Sequence, residues 1–256
     1  MYDKHADVLF MRGEYEKAAK MYLEAARDGD IDASFNYGYC LVSGLGVDYD
    51  PAEAKSFFVY ARDIEGGAAC YNLAMLYLHG EGVRRDYRQA FRYMNISASQ
   101  GCIEAQLYLG MLYTTGYMLE PDIRRICMIP VHKPEYRTPD EFLLMGDIPD
   151  AEADEEARFS VVSADARRAF EWFRRAAYHD PTYVADLVAK GQYLYAKCYI
   201  DGLGTDFDRK KGERLMLAAG KSGSQEAVAY LAENAISPER LLAEARAERQ
   251  GRGEDV

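Results

Sequence analysis

The sequence lacks most of the features that identify enzymes and metal proteins. Its five cysteines are odd in number and form no C-x-x-C pair, which argues against a zinc site and a disulfide framework. The four histidines are scattered, and no serine or cysteine stands in a recognisable nucleophile motif. None of the G-x-G pairs continues into a phosphate-binding motif. We therefore expect no enzyme, with no catalytic, cofactor-binding or metal-binding residues.

Positive charge and long apolar runs are also scarce. The chain has 31 Lys and Arg residues against 42 Asp and Glu residues, a formal net charge of -11. Nucleic acid is an unfavourable partner for such a chain, because phosphate binding needs a basic surface. The start MYDKHADVLFMRGEYEKAAK has neither a basic segment nor a long apolar run, so it shows no signal peptide or membrane span. The expected protein is cytoplasmic and binds neither nucleic acid nor membrane.

A unit of 36 residues recurs along the chain. The segment from Ala68 to Cys102 has apolar residues at helical spacing on both sides of HGEGVRRD, which predicts two amphipathic helices joined by a glycine turn. Shifting it back by 36 positions aligns Gly80, Gly82 and Ala90 with Gly44, Gly46 and Ala54. Such a helix pair cannot bury its apolar faces alone, so the copies should stack on one another.

The remaining units are less regular. A third first helix, IEAQLYLGMLYTTG, is separated by an insertion at 117–162 from its second helix, DARRAFEWFRRAAYHD, which opens at Asp165. A fourth unit, AKGQYLYAKCYIDGLGTDFDRKKGERLMLAAGKSG, carries Gly212 where the pattern has an alanine. A compact first unit predicts helices over Asp3–Met11 and Glu14–Asp28. After the fourth unit, SQEAVAYLAENA and a helix opening at Pro238 should seal the array.

The pattern A-x-x-x-L-A/G-x-x-Y-x-x-G-x-G-V…D-x-x-x-A-x-x-Y/W resembles the Sel-1-like repeat (SLR) family, which is related to the tetratricopeptide repeats. The resemblance implies an all-α fold, an α-solenoid with a right-handed superhelix of helix-turn-helix repeats and one long irregular insertion. It implies a single solenoid over 1–246, with repeats at 3–30, 31–66, 67–102, 103–188 and 189–223, capping helices at 224–249 and a flexible tail at 250–256. Family members usually act as adaptors for other proteins.

The insertion contains five prolines, which prevent a long helix. We expect Tyr117–Leu144 to pack on the solenoid, with Arg125–His132 as a short strand or a buried extended segment. Asp147–Glu156 is acidic and is expected to be mobile. The insertion is either a clamp for a specific partner or a solvated loop, and the sequence leaves both open.

In tetratricopeptide-like arrays the first helices line the concave face, and the resemblance carries that geometry over to this chain. The implied partner-binding residues are Phe35, Tyr39, Tyr71, Met75, His79, Leu107, Met111, Tyr193 and Lys197. Aromatic and methionine side chains provide contact area at a modest ordering cost, which suits a bound peptide or helix. Lys190 and Lys197 could meet an acidic group of a partner. The alternative is that several of these side chains pack against neighbouring helices.

The sequence thus predicts a monomeric, non-catalytic scaffold that binds a protein or peptide on its concave face. Two alternatives remain at this stage. One is a repeat protein that binds a cell-wall component or another small ligand, which a deep pocket would favour. The other is a self-assembling structural protein.

Overall fold

The computed structural model describes residues 4–62, 66–116, 163–182 and 184–237, together with residues 239, 241 and 243. Every regular element within these residues is an α-helix. The helices are α1 (His5–Met11), α2 (Tyr15–Arg27), α3 (Ile31–Ser43), α4 (Pro51–Ala61), α5 (Gly66–His79), α6 (Tyr87–Ser99), α7 (Ile103–Thr115), α8 (Ala166–Ala177), α9 (Ala185–Asp201), α10 (Arg209–Lys221) and α11 (Gln225–Glu233).

The helices belong to two compact units. The first contains α1 to α6 and the part of α7 up to Leu109, and the second contains Gly110–Thr115 with α8 to α11. From α1 to α6, and again from α8 to α11, each helix packs against the helix that follows it. The first core includes Ala18, Phe58 and Leu73. The second includes Met216 and Leu231. Each core is therefore a seam between successive helices, as stacked repeats require.

Aspartate starts four of the second helices. The carboxylates of Asp50, Asp86, Asp165 and Asp208 each accept a hydrogen bond from the backbone N–H three residues later, at 2.9 to 3.0 Å. Each satisfies a backbone donor at the open end of a helix, which typically contributes about 1 kcal/mol. In α4, Pro51 follows its aspartate at the first helical position, as its fixed φ angle allows.

In the four repeats whose second helix starts with aspartate, an equivalent backbone hydrogen bond closes the turn between the first and the second helix. The N–H of Asp86 donates to the carbonyl of Tyr77 at 3.0 Å, and the same bond joins residues 50 and 41, and 208 and 199. In the third repeat the N–H of Asp165 donates to Tyr113 O at 2.8 Å. The partners are nine residues apart in the regular turns and 52 apart in the third. The insertion therefore enters a turn whose closing bond is unchanged, and Asp165 starts the second helix as the sequence predicts.

The second glycine of each G-x-G turn contacts the repeat before it. A Cβ atom added at Gly82 would lie 2.7 Å from Ala52 Cα, and one added at Gly204 would lie 2.9 Å from Arg167 Cα. Both glycines have positive φ angles, 64° and 68°. The turn thus rests on the first turn of the preceding second helix, where any side chain would hold the two backbones apart.

The helix bounds agree with the sequence reading for α2 and α8, whereas α9 begins at Ala185, four residues before the predicted start of the fourth repeat at 189. Helix α2 lies within the predicted Glu14–Asp28, and α1 begins at His5, residues 1–3 being outside the described part. Gly212 replaces alanine because a Cβ there would meet Ile200 Cγ1 at 2.5 Å. The expectations for Tyr117–Leu144, Arg125–His132 and Asp147–Glu156 lie outside the described residues, as does most of the helix from Pro238. The single domain over 1–246 stays a prediction.

Candidate partner-binding surface

Eight of the nine predicted partner-binding residues occupy two equivalent positions of the first helices. At the earlier position, Phe35, Tyr71 and Leu107 are buried, with 1%, 2% and 2% of their surface exposed. Phe35 packs against Phe58 of the next helix, with ring centroids 5.7 Å apart. These three side chains fill the interior and offer a partner almost no surface, which corrects their assignment as contact residues. Tyr193, their equivalent in the fourth repeat, is half-buried.

The later position, one helical turn further on, keeps surface in all four repeats. It is occupied by Tyr39, Met75, Met111 and Lys197, and each is half-buried. The Tyr39 ring is held edge to face by Phe10, with centroids 5.9 Å apart. Half-buried side chains of this kind are fixed by their neighbours and still present area to a partner, which lowers the entropy lost on binding.

Unsatisfied polar atoms lie at the end of two first helices of the first unit. His79 Nε2 is buried and has no hydrogen-bond partner among the described residues, and the same holds for Ser43 Oγ. The two residues are 36 apart, so they occupy equivalent positions in successive repeats. The sequence analysis singled out His79 and missed Ser43, although the period would have found it. Buried polar atoms without partners are costly, so a water molecule or a ligand group is expected to complete them.

A third row of equivalent residues, missed by the sequence analysis, directly follows the buried position: Asn36, Asn72 and Tyr108. Asn36 is half-buried, whereas Asn72 and Tyr108 are 3% exposed. Burial, with a smaller contribution from Tyr87, raises the pKa of the Tyr108 phenol above its ordinary value. The phenol therefore stays neutral at physiological pH and acts as a hydrogen-bonding group of the interior.

The two lysines of α9 differ in their surroundings. Lys197 Nζ lies 2.9 Å from Asp201 Oδ2 and 5.9 Å from the centroid of the Tyr230 ring. Its hydrogen bond to Asp201 raises its pKa. Lys190 has no ion-pair partner among the described residues. An acidic group of a partner would therefore find only the charge of Lys190 uncompensated, because Lys197 is paired with Asp201. The role of the two lysines in binding stays a prediction.

No three His, Cys, Asp or Glu side chains in the described ranges are placed to hold one metal ion. None of the helices in the described part is long and apolar enough to cross a membrane.

A comparison with known protein families gives a match to the Sel1 repeat, at residues 10–30, 31–62, 67–102, 103–125, 159–181 and 189–224. The chain is 35% identical over 81 residues to a component of an ERAD-associated E3 ubiquitin-protein ligase of Arabidopsis thaliana. It is 30% identical over 84 residues to chitin synthase regulatory factor 2 of Schizosaccharomyces pombe. The matches cover 31% and 32% of this chain, and 12% and 16% of those relatives.

Solved structures share the fold. A Sel1 repeat protein from Oxalobacter formigenes has a TM-score of 0.66 and 18% identity, over 93% of this chain and 81% of that one. A protective antigen of uropathogenic Escherichia coli with an SLR fold has a TM-score of 0.63 and 22% identity, over 96% and 44%. The predicted all-α solenoid fold is confirmed. The chain belongs to the Sel1 repeat family.

Proposed function

We propose that this chain is a non-catalytic adaptor that binds a protein or peptide on its first-helix face, the surface formed by Tyr39, Ser43, Met75 and His79. One observation carries the proposal. The later position of the first helices is half-buried in all four repeats, where it holds Tyr39, Met75, Met111 and Lys197. The earlier position is buried in three of them, at Phe35, Tyr71 and Leu107. The predicted cytoplasmic location and monomeric state are part of this proposal.

The chemistry of the face suits a polypeptide. Tyr39 and Met75 supply aromatic and thioether surface, which adapts to varied apolar side chains. Ser43 and His79 extend the face by one further turn as half-buried residues, although Oγ and Nε2 themselves are buried. The side chains of a bound peptide would cover the apolar surface of Tyr39 and Met75.

The relatives point in the same direction. One is named as a component of a ligase complex and the other as a regulatory factor of a synthase, so each is described through another protein. We infer that the Sel1 repeats of this chain likewise bind another protein. The matches cover only 12% and 16% of those relatives, so their partners are not assigned to this chain.

The test is site-specific photocrosslinking in the native cell extract. A photoreactive amino acid is placed at Met75, on the first-helix face, or at Tyr60, which is 50% exposed on a second helix. We expect one polypeptide to be crosslinked from Met75 and not from Tyr60. Crosslinking to a second copy of the chain, or to the same protein from both sites, would contradict the proposal.

Affinity then tests the face itself. With the purified crosslinked partner, the Tyr39→Ala and Met75→Ala variants should each bind about tenfold more weakly in calorimetry, the usual effect of truncating an anchor residue. Tyr60→Ala, which removes an exposed tyrosine from a second helix, should leave the affinity unchanged. Unchanged affinity in all three variants would exclude the first-helix face as the site.

A further inference from the structure

The second helices of the second unit are basic, although the chain as a whole is acidic. Helix α8, ARRAFEWFRRAA, carries four basic residues and one acidic residue. Helix α10, RKKGERLMLAAGK, carries five basic residues and one acidic residue. Including the carboxylates of the two caps and of Asp206, these helices and their turn still have a positive net charge, in a chain of -11. The overall net charge conceals this asymmetry.

The two basic helices are joined at one edge. The turn before α10 rests on α8, because a Cβ atom added at Gly204 would lie 2.9 Å from Arg167 Cα. Three residues after that glycine, Phe207 has 67% of its surface exposed. Arg167, the second residue of α8, is where the turn contacts that helix, and Lys210 is the second residue of α10, which follows the turn; both are exposed. We call Arg167, Phe207 and Lys210 the basic edge.

The two cations of the basic edge form no ion pair within the described residues, unlike the arginines next to them. Arg168 contacts the Asp165 carboxylate and Tyr113 OH, and Arg209 pairs with Glu213. Arg167 and Lys210, by contrast, have no ion-pair partner among the described residues. The backbone N–H groups of the next residues, Arg168 and Lys211, donate to the Asp165 and Asp208 carboxylates. What the edge offers a partner is the exposed side chains of Arg167 and Lys210.

The placement of these cations also opposes helix stability. The positive end of the macrodipole favours acidic residues in a first turn, as Glu16 of α2 and Glu53 of α4 illustrate. Helices α8 and α10 have none in their first turns. Arg167 and Lys210 therefore place positive charge where the helix dipole disfavours it, and neither gains an ion pair within the described residues. Such unfavourable placements are typical of functional positions.

We propose that the basic edge docks a short acidic segment of a protein partner, with an apolar side chain of that segment on Phe207. Acidic side chains of the segment would pair with Arg167 and with Lys210, and the exposed ring of Phe207 would lose its contact with water. The net charge of the chain decides against a long polyanion, which would be repelled by the whole molecule. A short segment responds to charges within one Debye length, about 8 Å at physiological ionic strength.

The experiment uses fluorescence anisotropy with the full chain. The probe is a short fluorescein-labelled peptide in which Glu residues flank a central Leu, and its control has Gln in place of Glu. We expect the Glu peptide to bind more tightly than the Gln peptide and to lose affinity as salt is added. Equal binding of the two peptides would overturn the proposal.

Two double variants separate the basic edge from overall charge. In the Arg167→Glu/Lys210→Glu variant the Glu peptide should bind roughly tenfold more weakly, since two attractive pairs become repulsive. The matched control, Lys20→Glu/Arg92→Glu, makes the same change in net charge at exposed positions of α2 and α6 and should bind as the parent does. An equal loss in the control would overturn the proposal, because it would show a general effect of charge.

The melting temperature of the double variant shows whether a loss of peptide affinity results from unfolding. Glutamate in the first turn complements the macrodipole, so Arg167→Glu/Lys210→Glu should melt at or above the temperature of the parent protein. Phosphatidylserine vesicles and duplex DNA serve as competing anions. If either binds the parent protein and is released by the same double variant, the acidic segment is the wrong partner.

Discussion

Replacing Gly82 by alanine should weaken the contact between two successive repeats. Gly82 has a φ of 64°, and a Cβ added there would lie 2.7 Å from Ala52 Cα. A residue other than glycine costs about 1–2 kcal/mol in this left-handed conformation. Carbon atoms pack at about 3.5–4.0 Å, so the turn and the start of α4 must also move apart by about 1 Å. Overpacking of that kind typically costs a further 1–3 kcal/mol.

Gly13→Ala is the matched control for the conformational part. Gly13 has a φ of 79°, and a Cβ there would have no neighbour within 4 Å. Both substitutions reduce the entropy of the unfolded chain equally, so that effect cancels in the comparison. We therefore expect Gly82→Ala to lower the free energy of unfolding by about 1–3 kcal/mol more than Gly13→Ala does.

The assay is equilibrium urea unfolding followed by far-ultraviolet circular dichroism. Because a repeat array can lose cooperativity when one interface is weakened, a smaller m-value for Gly82→Ala would also be consistent with the reasoning. Equal free energies of unfolding and equal m-values for the two variants would refute it, since the backbone contact would then contribute nothing.

Three further predictions follow from the described residues. Asp86→Ala should lower the free energy of unfolding by about 1 kcal/mol in the same assay, and Asp86→Asn by much less, because asparagine also accepts the capping hydrogen bond. Gly110→Ala should be destabilising because its Cβ would lie 2.5 Å from Phe173 Cδ1, and Phe173→Leu should partly restore stability in a double-mutant cycle. Burial raises the pKa of the Cys40 and Cys198 thiols to about 12, so at pH 8 roughly one in ten thousand is a thiolate and maleimide labelling, mapped by mass spectrometry, should await unfolding.

The repeat register could be predicted from the sequence because its markers are tied to backbone geometry. Glycine marks the turns and aspartate marks the helix starts, and neither has many substitutes at those positions. Their recurrence after 117–162 located Asp165 at the start of α8, on the far side of the insertion. The hydrogen bond from Asp165 N–H to Tyr113 O is the physical reason that the register survives.

The exposure of the first-helix residues could not be predicted in the same way. Phe35 and Tyr39 are separated by one helical turn and are both aromatic, so the repeat period and the residue type predict the same exposure for both. The structure separates them because Phe35 points into the seam with α4, where its ring meets Phe58. Burial of this kind depends on how two helices cross, and a single sequence does not specify that. Ser43 and the basic edge were missed for a different reason, since neither interrupts the repeat pattern.

The repeats of one chain can be compared with each other as relatives would be. Positions that keep their residue type, such as the aspartate caps and the second turn glycine, make the same contact in every repeat that has it. Other positions change completely: the half-buried one runs Tyr, Met, Met and Lys, and the second residue of the second helices runs Glu, Ala, Arg, Arg and Lys. Stability in an array is a sum of contacts between neighbours, and those contacts use the constant positions. The variable, partly exposed positions are thus free to differ, and in the proposed adaptor they would encode the binding of one partner rather than another.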